Sequence, residues 1–236
     1  MVRGMRPSCG VLVFPGSNCD HDCYHVLKHV MGLDVRFVWH REHSLEGFDF
    51  VVVPGGFTYG DYLRTGAMAK LSPVMGALSE HIKEGRPVIG ICNGFQILLE
   101  GGFLPGAMTA NTSLQFVCDF VSLRTEGVKT PFTADLSGGE ILKIPIAHYQ
   151  GNYSASPDLL KELEDREQIV FRYCDGEGMV TTGSNPNGST GNIAGVCNRE
   201  GNVLGMMPHP ERSSEAELGS TDGRKIFESV ANYLGR

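Results

Sequence analysis

The segment Gly90-Ile91-Cys92-Asn93-Gly94 sets a cysteine between two glycines, where the apolar run Val88 to Ile91 gives way to a helical pattern. This is the form of a nucleophile elbow, G-x-S-x-G with sulfur in place of oxygen. Flanking glycines let the backbone turn sharply and present the side chain. The N-terminus of the helix that follows favours an anion and offers N–H groups to an oxyanion. A buried structural cysteine, the commonest fate of the residue type, would explain neither glycine.

A thiolate nucleophile needs a base and a group to orient that base. Pro208-His209-Pro210-Glu211 follows the last apolar run, Val203 to Met206. Residues two apart in extended chain point to the same side, so His209 and Glu211 can act as base and orienter, stiffened by the two prolines. Alone, His-x-Glu reads as a solvated turn; together with the elbow it completes a triad. Pro54-Gly55-Gly56-Phe57-Thr58-Tyr59-Gly60-Asp61 comes after another apolar run, and its paired glycines can turn backbone N–H groups toward an oxyanion. It is no nucleotide loop, because neither G-x-x-x-x-G-K-[ST] nor a complete G-x-G-x-x-G occurs. ATP chemistry, if any, belongs to another chain. Cys19, His21, Cys23, His25 and His29 also crowd one segment. With no C-x-x-C anywhere, and a single helix unable to wrap a tetrahedral ion, no metal site is expected there.

The elements that must position these groups alternate. Cys9 to Phe14, Val35 to Trp39, Phe50 to Val53 and Val88 to Ile91 are apolar strand patterns. Between them Asp20 to Met31 reads as one helix, and Ser72-Pro73 predicts an N-cap and first-turn proline for a helix ending at Gly85. Uniformly apolar strands alternating with helices predict a mostly parallel central sheet covered by helices, α/β and flavodoxin-like. Ligands of such sheets lie beyond the C-terminal strand ends, where all three motifs fall. The second half predicts strands at Phe116 to Leu123, Ile141 to Ala147, Ile169 to Tyr173, Ile193 to Val196 and Val203 to Met206, with little helix before a closing one over Asp222 to Leu234. No linker composition interrupts the chain, so residues 1–236 are expected to form one domain.

Composition bounds the rest. Of 236 residues, 41% are apolar and 20% charged, a globular balance that excludes wholesale disorder. The 31 glycines are roughly twice the usual ~7% share and imply tight turns and close backbone approaches. A formal charge of −7 with no basic cluster argues against nucleic-acid binding. No apolar run reaches the ~18 residues of a membrane span, and Met1 to Cys9 lack the apolar core of a secretion leader. Seven cysteines without framework spacing suit reduced thiols, hence a cytoplasmic enzyme or enzyme subunit. The sequons at Asn111, Asn152 and Asn187 then carry no meaning.

Gly55-Gly56, the Gly90–Gly94 elbow and Pro208–Glu211 together resemble the class I (triad) glutamine amidotransferases. Pro15-Gly16-Ser17-Asn18-Cys19-Asp20, Gly55 to Gly66 (GGFTYGDYLRTG), Ile91 to Leu98 (ICNGFQIL) and Gly201 to Arg212 (GNVLGMMPHPER) are similar to the small glutaminase subunits of phosphoribosylformylglycinamidine synthases, a likeness running from Val11 to Tyr233. The resemblance implies hydrolysis of glutamine, with ammonia passed to a large ATP-dependent synthetase subunit assisted by a small accessory subunit. It implies Cys92 as nucleophile, His209 as proton shuttle, Glu211 as orienter, Gly56 and Asn93 N–H groups at the oxyanion beside Gly55, and Gln96 at the amino-acid end of the substrate. No cofactor is implied in this chain; ATP and Mg would belong to the synthetase. Cys19 falls within the family's first-helix motif. The chain departs from the family pattern at Tyr149-Gln150, where Gly-Glu is expected. A stand-alone γ-glutamyl hydrolase of the same fold is the alternative; it would share the triad but neither Gly55 to Gly66 nor Asn185 to Ser189.

Overall fold

Val11, Val52, Ile89 and Leu204 stand side by side across four adjacent parallel strands, and none of the four is exposed to solvent. The structure is a computed structural model that describes residues 6–235; residues 1–5 of the segment read against a secretion leader lie outside them. The strands are β1 (Ser8–Val13), β3 (Phe50–Val53), β4 (Val88–Ile91) and β11 (Val203–Met206), with β2 (Asp34–Trp39) outside β1. Burial of β3, β4 and β11 at every position is the reason they read as uninterrupted apolar runs. Each fully buried Val, Leu or Ile contributes about 1.5–3 kcal/mol relative to exposure.

The second half extends the same sheet in antiparallel fashion through β10 (Ile193–Cys197), β9 (Ile169–Cys174), β6 (Val117–Thr125) and β7 (Ile141–His148), giving nine strands in the order β2-β1-β3-β4-β11-β10-β9-β6-β7. β5 (Ala107–Thr109) and β8 (Asn152–Ser154) form a separate ribbon with no counterpart among the sequence expectations.

The helices depart from expectation at three places. Asp20 to Met31 is not one α-helix: α1 (Asp20–His25) widens into a π-helical turn over Val26–Val30, a difference that hydrophobic spacing over so few residues cannot register. Ser72 does not cap α2 (Val74–Lys83) with its side chain; its hydroxyl instead joins His40 Nδ1 at 3.2 Å and the Tyr59 hydroxyl at 3.1 Å. The strand-rich half also contains α4 (Pro157–Asp165), where Ser156 Oγ accepts from the Leu159 N–H at 3.2 Å and Pro157 takes the first turn. α3 (Asn93–Glu100) and α5 (Arg224–Leu234) lie where expected.

Two glycines set how closely α3 meets the sheet. A Cβ on Gly94 would lie 1.8 Å from the Val53 carbonyl oxygen, and one on Gly90 would lie 2.7 Å from the Gly94 oxygen. Any side chain at either position would pry the helix from β3 and β4, so the elbow glycines are packing requirements as much as turn residues.

On α2, His81 is buried with no partner on Nε2. Burial, helped by the charge of Arg86, pulls it down to about 4. Its folded value lies below its unfolded one, so its contribution is complete above about pH 6.5 and disappears as pH falls through about 4. The urea midpoint of the wild type should exceed that of His81→Gln most at pH 7–8, and the gap should narrow toward pH 4.5. A gap that widens on acidification would contradict this.

Candidate active site

Register alone brings the motifs together. Val53 pairs with Gly90, and Ile91 with Met206, so β3, β4 and β11 end at one edge. There they deliver Gly55-Gly56, Cys92 and His209, while the turn after β1 delivers Cys19. Cys92 has φ +50° and ψ −106°, a conformation that disfavours any side chain and is found where a site requires it. Its N–H donates to the Met206 carbonyl at 2.8 Å, fixing the strained residue to the strand that carries the histidine. Its Sγ lies 3.8 Å from the Ala147 carbonyl oxygen.

His209 is locked by the flanking prolines and by its N–H, which donates to the Pro145 carbonyl at 2.8 Å. Its Nδ1 donates to Glu211 Oε1 at 2.6 Å; both residues are buried, and Glu211 Oε2 has no partner. That bond leaves Nε2 for the thiols. Burial alone would drive the imidazole toward neutrality, but the carboxylate of Glu211 and the thiols of Cys92 and Cys19 outweigh it, and His209 is held well above its usual value. Nε2 has no hydrogen-bond partner inside the protein, and His209 lines the same cavity as Cys92.

Gly55 is the contact point of the group. A Cβ there would come within 2.9 Å of His209 Cε1, 3.1 Å of Cys19 Sγ and 3.5 Å of Cys92 Cβ, so no other residue lets the three meet. The Gly56 N–H takes no part in the Ser17–Gly56 bridge, whose bonds run from the Asn18 N–H to the Gly55 carbonyl at 3.3 Å and from the Phe57 N–H to the Gly16 carbonyl at 2.9 Å. Asn93 is buried; its Oδ1 accepts from the Thr58 N–H at 3.1 Å and its Nδ2 donates to Gln96 Oε1 at 2.9 Å. Gln96 in turn donates to the Gln150 carbonyl at 2.6 Å. Both Gln96 amide groups are thus engaged inside the protein, tying α3 to the turn after β7.

A cavity of about 380 Å³ opens on Cys92 and His209, with Gln96, Asp61, Tyr149 and Gln150 in its walls. The turn after β7 is held from behind: Asn111 Nδ2 donates to the His148 carbonyl at 3.0 Å, and Asn187 Nδ2 donates to the Gly151 carbonyl at 2.8 Å. Burial and the charge of His209 bring His148 down to about 4, leaving it neutral. Asp61 is a further wall residue that the sequence reading did not single out; burial pushes it up to about 6.

The cysteine- and histidine-rich helix divides. Cys19 and Cys23 are buried, whereas His21, His25 and His29 are exposed on its other side, and His25 Nε2 meets Glu215 at 2.9 Å. Cys19 instead lies beside the His209–Glu211 pair: its sulfur and the donor atoms of those two residues are within 4.8 Å of one another. This group has the donor types of a metal site, but Arg212 is the cation seated at the Cys19 sulfur, donating from Nη2 at 3.1 Å.

A cysteine at a strained strand–helix turn, a paired His–Glu just beyond the adjacent strand and a double-glycine turn beside them define a triad amidotransferase of the α/β class. Residues 6–233 match the CobB/CobQ-like glutamine amidotransferase domain, and the chain belongs to that family, within it to the glutaminase subunits of phosphoribosylformylglycinamidine synthase. Over 227 residues it is 56% identical to the synthase subunit PurQ of Koribacter versatilis, covering 96% of this chain and 98% of that protein. Over 224 residues it is 54% identical to PurQ of Methanosarcina mazei, covering 95% and 97%. A chain in the structure of PurLQS from Thermotoga maritima superposes with TM-score 0.87 at 42% identity, covering 98% of this chain and all of that one.

Proposed function

We propose that this chain, as one domain of the cytoplasm, hydrolyses glutamine to glutamate and ammonia. The ammonia passes to a large synthetase subunit for ATP-dependent conversion of formylglycinamide ribonucleotide to formylglycinamidine ribonucleotide, with a small accessory subunit in the same complex. The observation that carries the reading is the strained Cys92 backbone packed through Gly55 against His209. ATP and Mg belong to the synthetase.

The thiolate of Cys92 attacks the side-chain amide carbon, and the carbonyl oxygen becomes an oxyanion received by the Gly56 and Asn93 N–H groups. His209, already protonated, gives its proton to the departing nitrogen, so ammonia leaves and a thioester remains. Water, deprotonated by His209, adds to the thioester; collapse releases glutamate and restores the thiolate–imidazolium pair. Throughout, Glu211 holds the ring and stabilises its charge.

Ammonia released into water is protonated and lost as a nucleophile, so hydrolysis without an acceptor serves nothing. Partner docking on the loop after Gly56 would complete the oxyanion hole. Glutaminase turnover of the isolated chain should rise by roughly 10-fold or more on adding the synthetase and its accessory subunit. Equal rates would identify a stand-alone γ-glutamyl hydrolase.

A further inference from the structure

Resting on the glutaminase reading, we propose that Asp61 receives the α-ammonium group of the substrate and so restricts the pocket to α-amino acids. Three observations carry this. First, among the described residues lining the catalytic cavity, Asp61 supplies the one carboxylate; Gln150, also in its wall, offers only a neutral amide. Glu211, the other acid nearby, is committed to His209.

Second, the Asp61 carboxylate is unanswered inside the protein. Its Oδ1 is buried without a hydrogen-bond partner, and such a group needs an explanation in a native structure. The neighbouring cations are engaged elsewhere: Arg64 with Glu100 at 2.5 Å, and Arg212 with Asp22 at 3.2 Å and with Cys19. Removing a carboxylate from water without a partner is costly. A cation arriving in the cavity repays that cost, which an uncharged ligand cannot.

Third, the carboxylate is held in place from both sides. The Thr58 N–H is bonded to Asn93, the residue after the nucleophile, and Thr65 Oγ1 donates to Gln150 Oε1 at 2.6 Å. Between these anchors Tyr59, Gly60 and Asp61 all have positive φ, +53° at Asp61. Asp and Asn tolerate that region better than other side chains, and strain of this kind persists where the surrounding structure imposes it. The loop therefore places the Asp61 carboxylate in the wall of the cavity that opens on Cys92, the space in which a glutamine whose amide meets the thiol must also lodge its amino-acid end.

The interaction is made equally in ground and transition states, so its loss falls on KM rather than kcat. The test uses the complex reconstituted with its synthetase and accessory subunits, and two substrates: glutamine and glutaramate, the same amide lacking the α-amino group. In the wild type, kcat/KM for glutamine should exceed that for glutaramate by roughly 100-fold or more. Asp61→Asn, which keeps shape and backbone preference, should lower kcat/KM for glutamine about 10- to 100-fold, chiefly through KM. Glutaramate should change by less than about 3-fold, so most of the discrimination disappears. An equal loss on both substrates would mark Asp61 as merely structural, and an unchanged glutamine KM would remove it from recognition; either overturns the inference. Failure of the wild-type complex to hydrolyse glutamine would instead overturn the glutaminase reading itself.

Discussion

In the assembled complex, Cys92→Ala should abolish glutamine-dependent synthesis, a loss of roughly 10⁴-fold or more, while ammonium-dependent synthesis persists. The argument is one of location. Cys92 lies between β4 and α3, with its N–H held by Met206 and its side chain at the cavity that His209 also lines, and no nucleotide-binding loop occurs in the sequence. Under the proposed division of labour ligation uses residues of the synthetase chain, so external ammonium should bypass the missing thiol. Alanine removes only the sulfur; the strained φ of +50° is relieved little and the glycine contacts around it are unaltered. The measurement is turnover of the reconstituted complex with glutamine and then with high ammonium, and integrity is checked by size-exclusion chromatography. Loss of both activities in an intact complex would place Cys92 in the ligation step and defeat the division of labour.

Why the site was so legible in the sequence follows from its construction. Catalytic groups at the ends of buried parallel strands are announced by the strands themselves, and the glycines that admit them have no side-chain substitute. Gly94, 1.8 Å from the Val53 oxygen at its would-be Cβ, and Gly55, wedged among Cys19, Cys92 and His209, are visible as motifs because geometry forbids alternatives. What escaped were features that depend on partners distant in sequence. Ser72-Pro73 and Ser156-Pro157 carry the same local helix-start signal; only the second becomes a side-chain cap, because His40 and Tyr59 claim the Ser72 hydroxyl. Nothing local to Cys19 reveals that it meets His209 and Arg212 across 190 and more positions. Gln96 lines the cavity while its amide is bonded to Asn93 and Gln150, a pairing that no local pattern displays. Asp61 lay inside a quoted motif without distinction, because its significance is the absence of a neighbour to neutralise it.

The second large effect concerns the His209–Glu211 pair. His209→Ala should approach Cys92→Ala in severity, because the same ring stabilises the thiolate and delivers the proton without which the amine cannot leave. Glu211→Gln should cost about 10- to 10³-fold in kcat/KM for glutamine, less than removing the ring, since the amide can still hold Nδ1. The sign of its pH effect follows from the forces on the imidazole. Burial opposes the charged ring, and the Glu211 carboxylate does most to hold that charge, followed by the thiols of Cys92 and Cys19. Remove the carboxylate and the ring titrates at lower pH, so the alkaline limb of kcat/KM should move down in the variant. Stability should respond in the complementary sense. A histidine raised on folding contributes fully below about pH 6.5 and loses that contribution as pH rises through its folded value, so the wild-type advantage over Glu211→Gln should be largest in mild acid and shrink toward alkaline pH. Rate profiles of the reconstituted complex and urea midpoints of the isolated chain read the two effects independently. An unmoved alkaline limb, or a stability gap that grows with pH, would mean that Glu211 orients the ring without holding its charge, leaving the proton for the departing ammonia to come from elsewhere.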